Sequence, residues 1–309
     1  MTSLDPDTAW QRQRPRPGTL CLDHIAHFVP DIDRASAALA RLGFALTPFS
    51  LQQHRMHPDA PLEPAGSGNR CAMLGRGYLE FLTPTADTPV ARRMRAAIDR
   101  YVGQHLICFG TADSARLHAH LQAGGFRPLP PVALQRQIGT QTGEGIARFT
   151  VLRVAPEAMP EGRVQIVEHH TPELLWQQRW LTHANGASAL LASMLCVADV
   201  GEAAERFAHF AQAKSRRIGK AAVVETARGA VVIFAADAAE AMIGMVPPTL
   251  PWIAGTVLRV DGLAATRAYL LAAGIATRPL GHGGAVAICP PELGGVFVFT
   301  DGEVRALLG

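Results

Sequence analysis

Several things are scarce in this chain. The longest apolar runs fall short of the roughly 18 residues that a membrane-spanning helix requires, so no membrane segment is expected. The first residues carry no apolar run of the kind a signal peptide needs. They read instead as a flexible leader, residues 1–19, rich in arginine and proline (Gln11-Arg12-Gln13-Arg14-Pro15-Arg16-Pro17). Cysteine is limited to Cys21, Cys71, Cys108, Cys196 and Cys289, an odd number without paired spacing. That excludes a disulfide framework and a zinc finger, and it fits a reducing, cytoplasmic setting. Charge is low: 18% of residues are charged, for a formal net charge of +3. Setting aside the three arginines of the leader brings the balance to about neutral, which argues against a nucleic-acid partner. There is also no Gly-x-Ser-x-Gly elbow, phosphate loop or Cys–His nucleophile pair.

What is present is an ordinary globular composition, 48% hydrophobic over 309 residues, enough for two domains with their own cores. Two apolar strands break for one carboxylate each, Gly77-Tyr78-Leu79-Glu80-Phe81-Leu82 and Val164-Gln165-Ile166-Val167-Glu168. Each follows an earlier apolar strand with a histidine near its start, at His24 and at His105. A carboxylate inside a sheet is costly unless compensated. The order His, Glu, His, Glu therefore suggests one ion shared by His24, Glu80, His105 and Glu168.

The chain repeats itself. From His24 an apolar strand runs to Pro30-Asp31-Ile32-Asp33, where Asp31 or Asp33 can cap a helix that Gly43 ends. Short strands then follow to Glu80. The same order restarts at His105, with a cap in Thr111-Ala112-Asp113-Ser114 and Gly124-Gly125-Phe126 at the helix end. Two further copies begin near Leu191 and Thr256. Their histidine positions correspond to about Ala192 and Ala254, and their carboxylate positions to about Ile233 and Val298. The second half thus keeps the architecture without the ligands. Between the halves, Leu174, Leu175, Trp176 and Trp180 predict a short connecting helix, ended by Asn185-Gly186.

These residues resemble the vicinal oxygen chelate superfamily, to which glyoxalase I and methylmalonyl-CoA epimerase belong. More narrowly, Gly68-Asn69-Arg70-Cys71 with Tyr78-Leu79-Glu80, Glu168-His169-His170-Thr171-Pro172 and His183-Ala184-Asn185-Gly186 are similar to a bacterial glyoxalase-like domain family. The resemblance covers roughly residues 20–190, and the remainder matches only the general module. It implies an α+β fold of four βαβββ modules, forming two paired-module domains with cupped mixed sheets. The expected division is a metal-site domain at 20–172, a connecting helix and turn at 173–187, and a second domain without metal ligands at 188–309.

By position the resemblance makes His24, Glu80, His105 and Glu168 the ligands of one divalent ion, Zn, Ni, Co, Mn or Fe. Their types do not choose among these metals. It implies a lyase or isomerase working on a small vicinally oxygenated substrate through an enediolate-type intermediate, with Glu168 as base and Glu80 as the alternate. An extradiol-type Fe(II) dioxygenase is the alternative, using His24, His105 and Glu168. A non-catalytic binding or resistance protein is the third reading.

Around the ligands, Arg70 is a candidate clamp for a substrate carboxylate, although a structural salt bridge explains it equally well. Asn69 belongs to the same motif. His170 shares the strand parity of Glu168, and Trp176 and His183 are candidates to close the pocket. Packing explains Trp176 more simply, and a helix stop explains His183. His27, of opposite parity to His24, is expected outside the cup, and His54-Arg55-Met56-His57 reads as a polar loop. A small-molecule substrate is the expected partner. A homodimer is expected on base rates, with a monomer left open because the duplicated chain already supplies two module pairs.

Overall fold

Helix caps fall where the acidic turns place them. In this computed structural model, which describes residues 6–55 and 61–309, Asp31 accepts hydrogen bonds from the backbone N–H groups of Asp33 (2.9 Å) and Arg34 (3.0 Å). Asp113 and Asp199 do the same for Arg116 and Glu202. Gly43, at φ +85°, ends the first helix. Met56 and His57 lie outside the described residues, and residues 54 and 55 complete a strand instead of opening a loop.

The first module is β1 (Cys21–Phe28), α1 (Ile32–Arg41), β2 (Ser50–Arg55), β3 (Glu63–Met73) and β4 (Tyr78–Pro84). A helix absent from the repeat, α2 (Pro89–Arg100), leads to the second module: β5 (Gly103–Gly110), α3 (Ser114–Ala123), β6 (Val132–Thr140), β7 (Gly143–Arg153) and β8 (Arg163–His169). A four-residue α4 (Pro172–Leu175) opens the link. The third module is β9 (Ala187–Val197), α5 (Val200–Ala211), β10 (Lys214–Ile218), β11 (Ala221–Glu225) and β12 (Ala230–Ala235), followed by a second added helix, α6 (Ala236–Ile243). The fourth is β13 (Trp252–Val260), α7 (Leu263–Ala272), β14 (Thr277–Leu280), β15 (Gly284–Ile288) and β16 (Val296–Thr300). The βαβββ order is present four times.

The first two modules form a closed ring. Its strands run β1-β4-β3-β2-β6-β7-β8-β5, and β5 returns to pair with β1. Inside lie Ala26, Phe28, Leu82, Leu106, Cys108, Val151 and Val167, with Met94 of α2 packed against them. The last two modules make an open sheet, β10-β11-β12-β9-β13-β16-β15-β14. The concave side of that second sheet is filled by the chain itself. Ala238, Ala239 and Ile243 of α6, and Leu307 near the C-terminus, pack there with Ala192, Met194, Ala254, Val296 and Val298. Val232 and Phe234 face this cluster while Ile233 joins the larger core on the other side, one position off the slot that the repeat assigns.

The halves share that larger core. It includes Phe44, Ile107, Phe109 and Phe126 from the first half and Leu195, Phe207, Phe210 and Phe297 from the second.

Two expectations need correction. From residue 6 the presumed flexible leader is a 3₁₀ helix over Pro6–Gln13. It is anchored by the buried Gln13, whose amide donates to the Gly75 carbonyl (2.6 Å) and accepts from the Gly77 N–H (3.0 Å). The connecting helix is broken after Leu175, because Trp176 turns inward onto the rings of Tyr78 and His169, at 5.8 and 5.1 Å. A separate 3₁₀ turn then covers Gln178–Trp180.

Candidate active site

His24 and Glu80 stand on adjacent parallel strands, β1 and β4, with Ala26 paired to Glu80 and His24 to Tyr78. Both side chains point into the ring, and His24 Nε2 lies 3.7 Å from Glu80 Oε2. The turn before β4 needs Gly77, at φ +73°. A Cβ there would come within 2.8 Å of the Asp23 carbonyl oxygen. Tyr78 stacks on the His24 ring at 4.4 Å, which fixes the imidazole plane.

Both residues are held from behind. Pairing between β1 and β5 slips at Leu22/His24, and this irregularity lets the buried Asp23 reach its own neighbour. Asp23 Oδ1 accepts from His24 Nδ1 at 2.7 Å and faces His169 Nε2 at 3.1 Å. Burial works against the Asp23 carboxylate, but the two imidazoles outweigh it and hold its pKa well below the usual carboxylate range. Burial likewise opposes a charged His24, while Cys108 and Asp23 overcome this and hold its pKa above the ordinary value. Glu80 is gripped at one oxygen only. Oε1 accepts from Gln52 Nε2 (3.1 Å) and from Asn69 Nδ2, leaving Oε2 toward His24. Asn69 is positioned in turn by the buried Arg136, which donates to its Oδ1 at 2.8 Å.

The cavity between these groups is small, about 60 Å³, with Gln165, Phe149, Val151 and Val167 on its far wall. Arg136 also lines a neighbouring cavity of about 90 Å³ with Thr47, Phe49, Ile138 and Trp180. Gln165 Oε1 is buried and has no hydrogen-bond partner among the described residues.

The other expected ligands lie elsewhere. His105 stays away from this cavity: its Nε2 meets the Tyr101 carbonyl at 2.8 Å, and its ring stacks on Tyr101 at 4.0 Å and on Phe28 at 5.2 Å. Burial pulls its pKa down to about 4. Glu168 faces outward and accepts from the Ser114 N–H at the start of α3 (2.9 Å). The physical reason differs for the two. On β8, Gln165 and Val167 line the cavity, so Glu168 takes the opposite face. On β5, the pairing with β1 slips between Ala26 and His27, which leaves His105 as the extra residue of a bulge. Among the described residues no three His, Cys, Asp or Glu side chains gather as a metal-ligand group.

The flanking candidates also separate. Asn69 belongs to the site, whereas Arg70 points away and donates to the Thr47 carbonyl (3.4 Å). His170 is exposed and meets Thr150 Oγ1 at 2.8 Å. His183 ties the link to the first module, accepting from the Ala45 N–H at Nδ1 (3.0 Å) and bonding the Met73 carbonyl at Nε2 (2.7 Å). Trp176 packs behind Tyr78, outside the cavity. His27 does lie outside the ring, fully buried on Phe81.

The sequence reading missed Asp23, Gln52, Arg136 and Gln165. Only Asp23 left a signal, as an acid inside an apolar strand. Arg136 and Gln52 lie in segments whose polar pattern resembles an exposed loop or edge.

The profile of the glyoxalase-like domain matches residues 22–211 of the chain. The protein belongs to this family. Solved structures share the fold at low identity. A hypothetical protein from Staphylococcus aureus is 11% identical, with 91% of this chain and 98% of that one covered at a TM-score of 0.62. A mutant 4-hydroxymandelate synthase from Streptomyces coelicolor is 15% identical, covering 95% and 98% at 0.56. The Mn(II)-bound glyoxalase from Novosphingobium aromaticivorans is 11% identical, covering 91% and 82% at 0.52. No curated protein matches the sequence. The glyoxalase-like chain is thus a vicinal oxygen chelate protein, of a superfamily that holds metal-dependent isomerases, lyases and dioxygenases.

Proposed function

We propose that the first ring carries a divalent-metal-dependent lyase or isomerase activity of glyoxalase type, acting on a small vicinally oxygenated substrate. The observation behind this reading is the inward pair His24–Glu80, 3.7 Å apart and backed by Asp23. His24 Nε2, Glu80 Oε2 and the partnerless Gln165 Oε1 are the atoms that would hold an ion, one nitrogen and two oxygens. Such an ion supplies Lewis acidity toward a substrate oxygen.

The chain's own groups do the rest. Asp23 fixes the His24 ring through Nδ1, so that Nε2 faces the cavity. Glu80 is also the candidate base, at Oε2, the oxygen that Gln52 and Asn69 leave free, and it would act as one only when that oxygen is released from an ion. Arg136 replaces Arg70 as the anchor for a substrate oxyanion, since its guanidinium has no ion-pair partner among the described residues and borders both cavities. The inner space of about 60 Å³ holds only about two waters, so the substrate extends past Arg136 into the second cavity. The dioxygenase alternative relied on His24, His105 and Glu168 together, and nothing in the geometry supports that triad.

The test is elemental analysis of untagged protein purified without chelators. About one divalent ion per chain is expected, lost in Glu80→Gln and kept in His105→Ala. Folded protein that takes up no ion on reconstitution, or whose ion depends on His105, would overturn the reading.

A further inference from the structure

Three arginines at the α2 end of the ring have no carboxylate partner among the described residues. Arg153 pairs across β7–β8 with Gln165, a wall residue of the cavity, so its side chain is directed into the ring. Arg163 lies two residues before Gln165 on β8 and shares its face. Its guanidinium sits over the inward-facing Phe28 ring, 5.7 Å from the centroid. Arg93 belongs to α2, whose next residue, Met94, packs on the same interior cluster. Among the described residues, none of the three makes a salt bridge. No side-chain hydrogen bond is found from any of them, and Arg153 Nε is buried with no partner.

Such a cluster is physically expensive. Guanidinium groups removed from water are normally paired with a carboxylate, and like charges side by side add repulsion. Burial and the neighbouring charges of Arg153 and Arg93 all weigh against a charged Arg163. Burial and Arg93 lower the pKa of Arg153 as well. The acids nearby face other partners. Glu80 has Oε1 held by two amides and Oε2 turned to His24, and Glu161, just before β8, is taken by Arg206 of α5. Arg93 is exposed and the other two are part-buried, so an ion can enter from solvent past Arg93.

We propose that Arg93, Arg153 and Arg163 form a binding site for a phosphate-type oxyanion at the α2 end of the ring, separate from the His24–Glu80 cavity. Planar guanidinium forks suit such an oxyanion, which accepts several charge-assisted hydrogen bonds at once. A bound dianion would convert three mutually repelling cations into a paired cluster. The source is either free phosphate or the phosphate group of a small molecule.

The test is titration calorimetry of the full chain with inorganic phosphate and with phenyl phosphate, beside thermal melts at ionic strength matched with chloride. Phosphate is expected to bind near one per chain and to raise Tm where chloride does not. Affinity should fall about tenfold or more in Arg153→Met and in Arg163→Met, and should be unchanged in His24→Ala. Tighter binding of phenyl phosphate would identify a phosphorylated small molecule as the ligand, and equal or weaker binding the free ion. Should either arginine variant fail to fold, the wild-type melts decide by themselves. No phosphate-specific Tm shift, or binding lost in His24→Ala but kept in both arginine variants, would overturn the proposal.

Discussion

Asp23 and His24 are sequence neighbours that a regular strand would aim at opposite faces. The slip in β1–β5 pairing instead lets the carboxylate reach Nδ1 of the next residue while Nε2 faces the cavity. A partner of this kind sets ligand orientation, and its loss typically costs 10–100-fold in metal affinity or activity. Asp23→Asn is therefore expected to weaken metal retention by about 10–100-fold, read by competition with a chromogenic chelator. Undiminished retention would remove Asp23 from the site. His27 has a different fate: both ring nitrogens are buried without partners among the described residues, and the ring stacks on Phe81 at 4.9 Å. Burial, reinforced by His105, pulls its pKa down to about 3. Its unfolded value lies near 6.5, so above that pH it is neutral in both states. As pH falls below about 6.5 only the unfolded chain takes up the proton, and stability drops by about 1.4 kcal/mol per pH unit toward pH 3. Urea denaturation at pH 7, 6 and 5 should show a shallower decline in His27→Leu than in the wild type. Equal slopes would mean that His27 is already protonated or hydrated in the native state.

Elements were legible where pattern and cap agree. Asp31, Asp113 and Asp199 each begin a helix in the structure, and an apolar strand precedes each one. The helices α2 and α6 were not read, because they lie outside the repeat and show their purpose only by filling the concave side of the sheet that precedes them. Nor was the contact that ties α5 to the first ring. Arg206 donates to Glu161 Oε1 at 2.6 Å and Oε2 at 2.8 Å, and also to Glu202 on its own helix. The Glu161 side chain is only 1% exposed, against 57% for Glu202. Removing the cation strands a buried carboxylate, so Arg206→Met should cost about 3–5 kcal/mol. Glu202→Ala, at a solvated partner, should cost less than about 1 kcal/mol. Urea midpoints measure both, and similar losses in the two variants would show that Glu161 is solvated instead.

Across the whole molecule the halves are not independent bodies. The ring and the open sheet join through the Gln104–Ile253 pairing and a hydrogen bond from Thr256 to Gln104. Phe109 and Phe126 also pack on Phe210, at 5.8 and 5.2 Å. A core shared in this way should unfold in one cooperative transition, with calorimetric and van't Hoff enthalpies in agreement. Two resolved transitions would mean that each half holds its own core. The sequence by itself determined the module and its fourfold recurrence, because strand periodicity, acidic caps and glycine stops are local properties, and it singled out His24 and Glu80, which the fold sets 3.7 Å apart. Only the tertiary structure decided that His105 and Glu168 leave the cavity. Parity is set by register, register by pairing between strands far apart in the chain, and a difference of one residue sends a side chain to the other face. For the same reason Gln165 and Arg136, silent in the sequence, stand beside the candidate ligands, and three arginines without a carboxylate partner among the described residues meet at the α2 end of the ring.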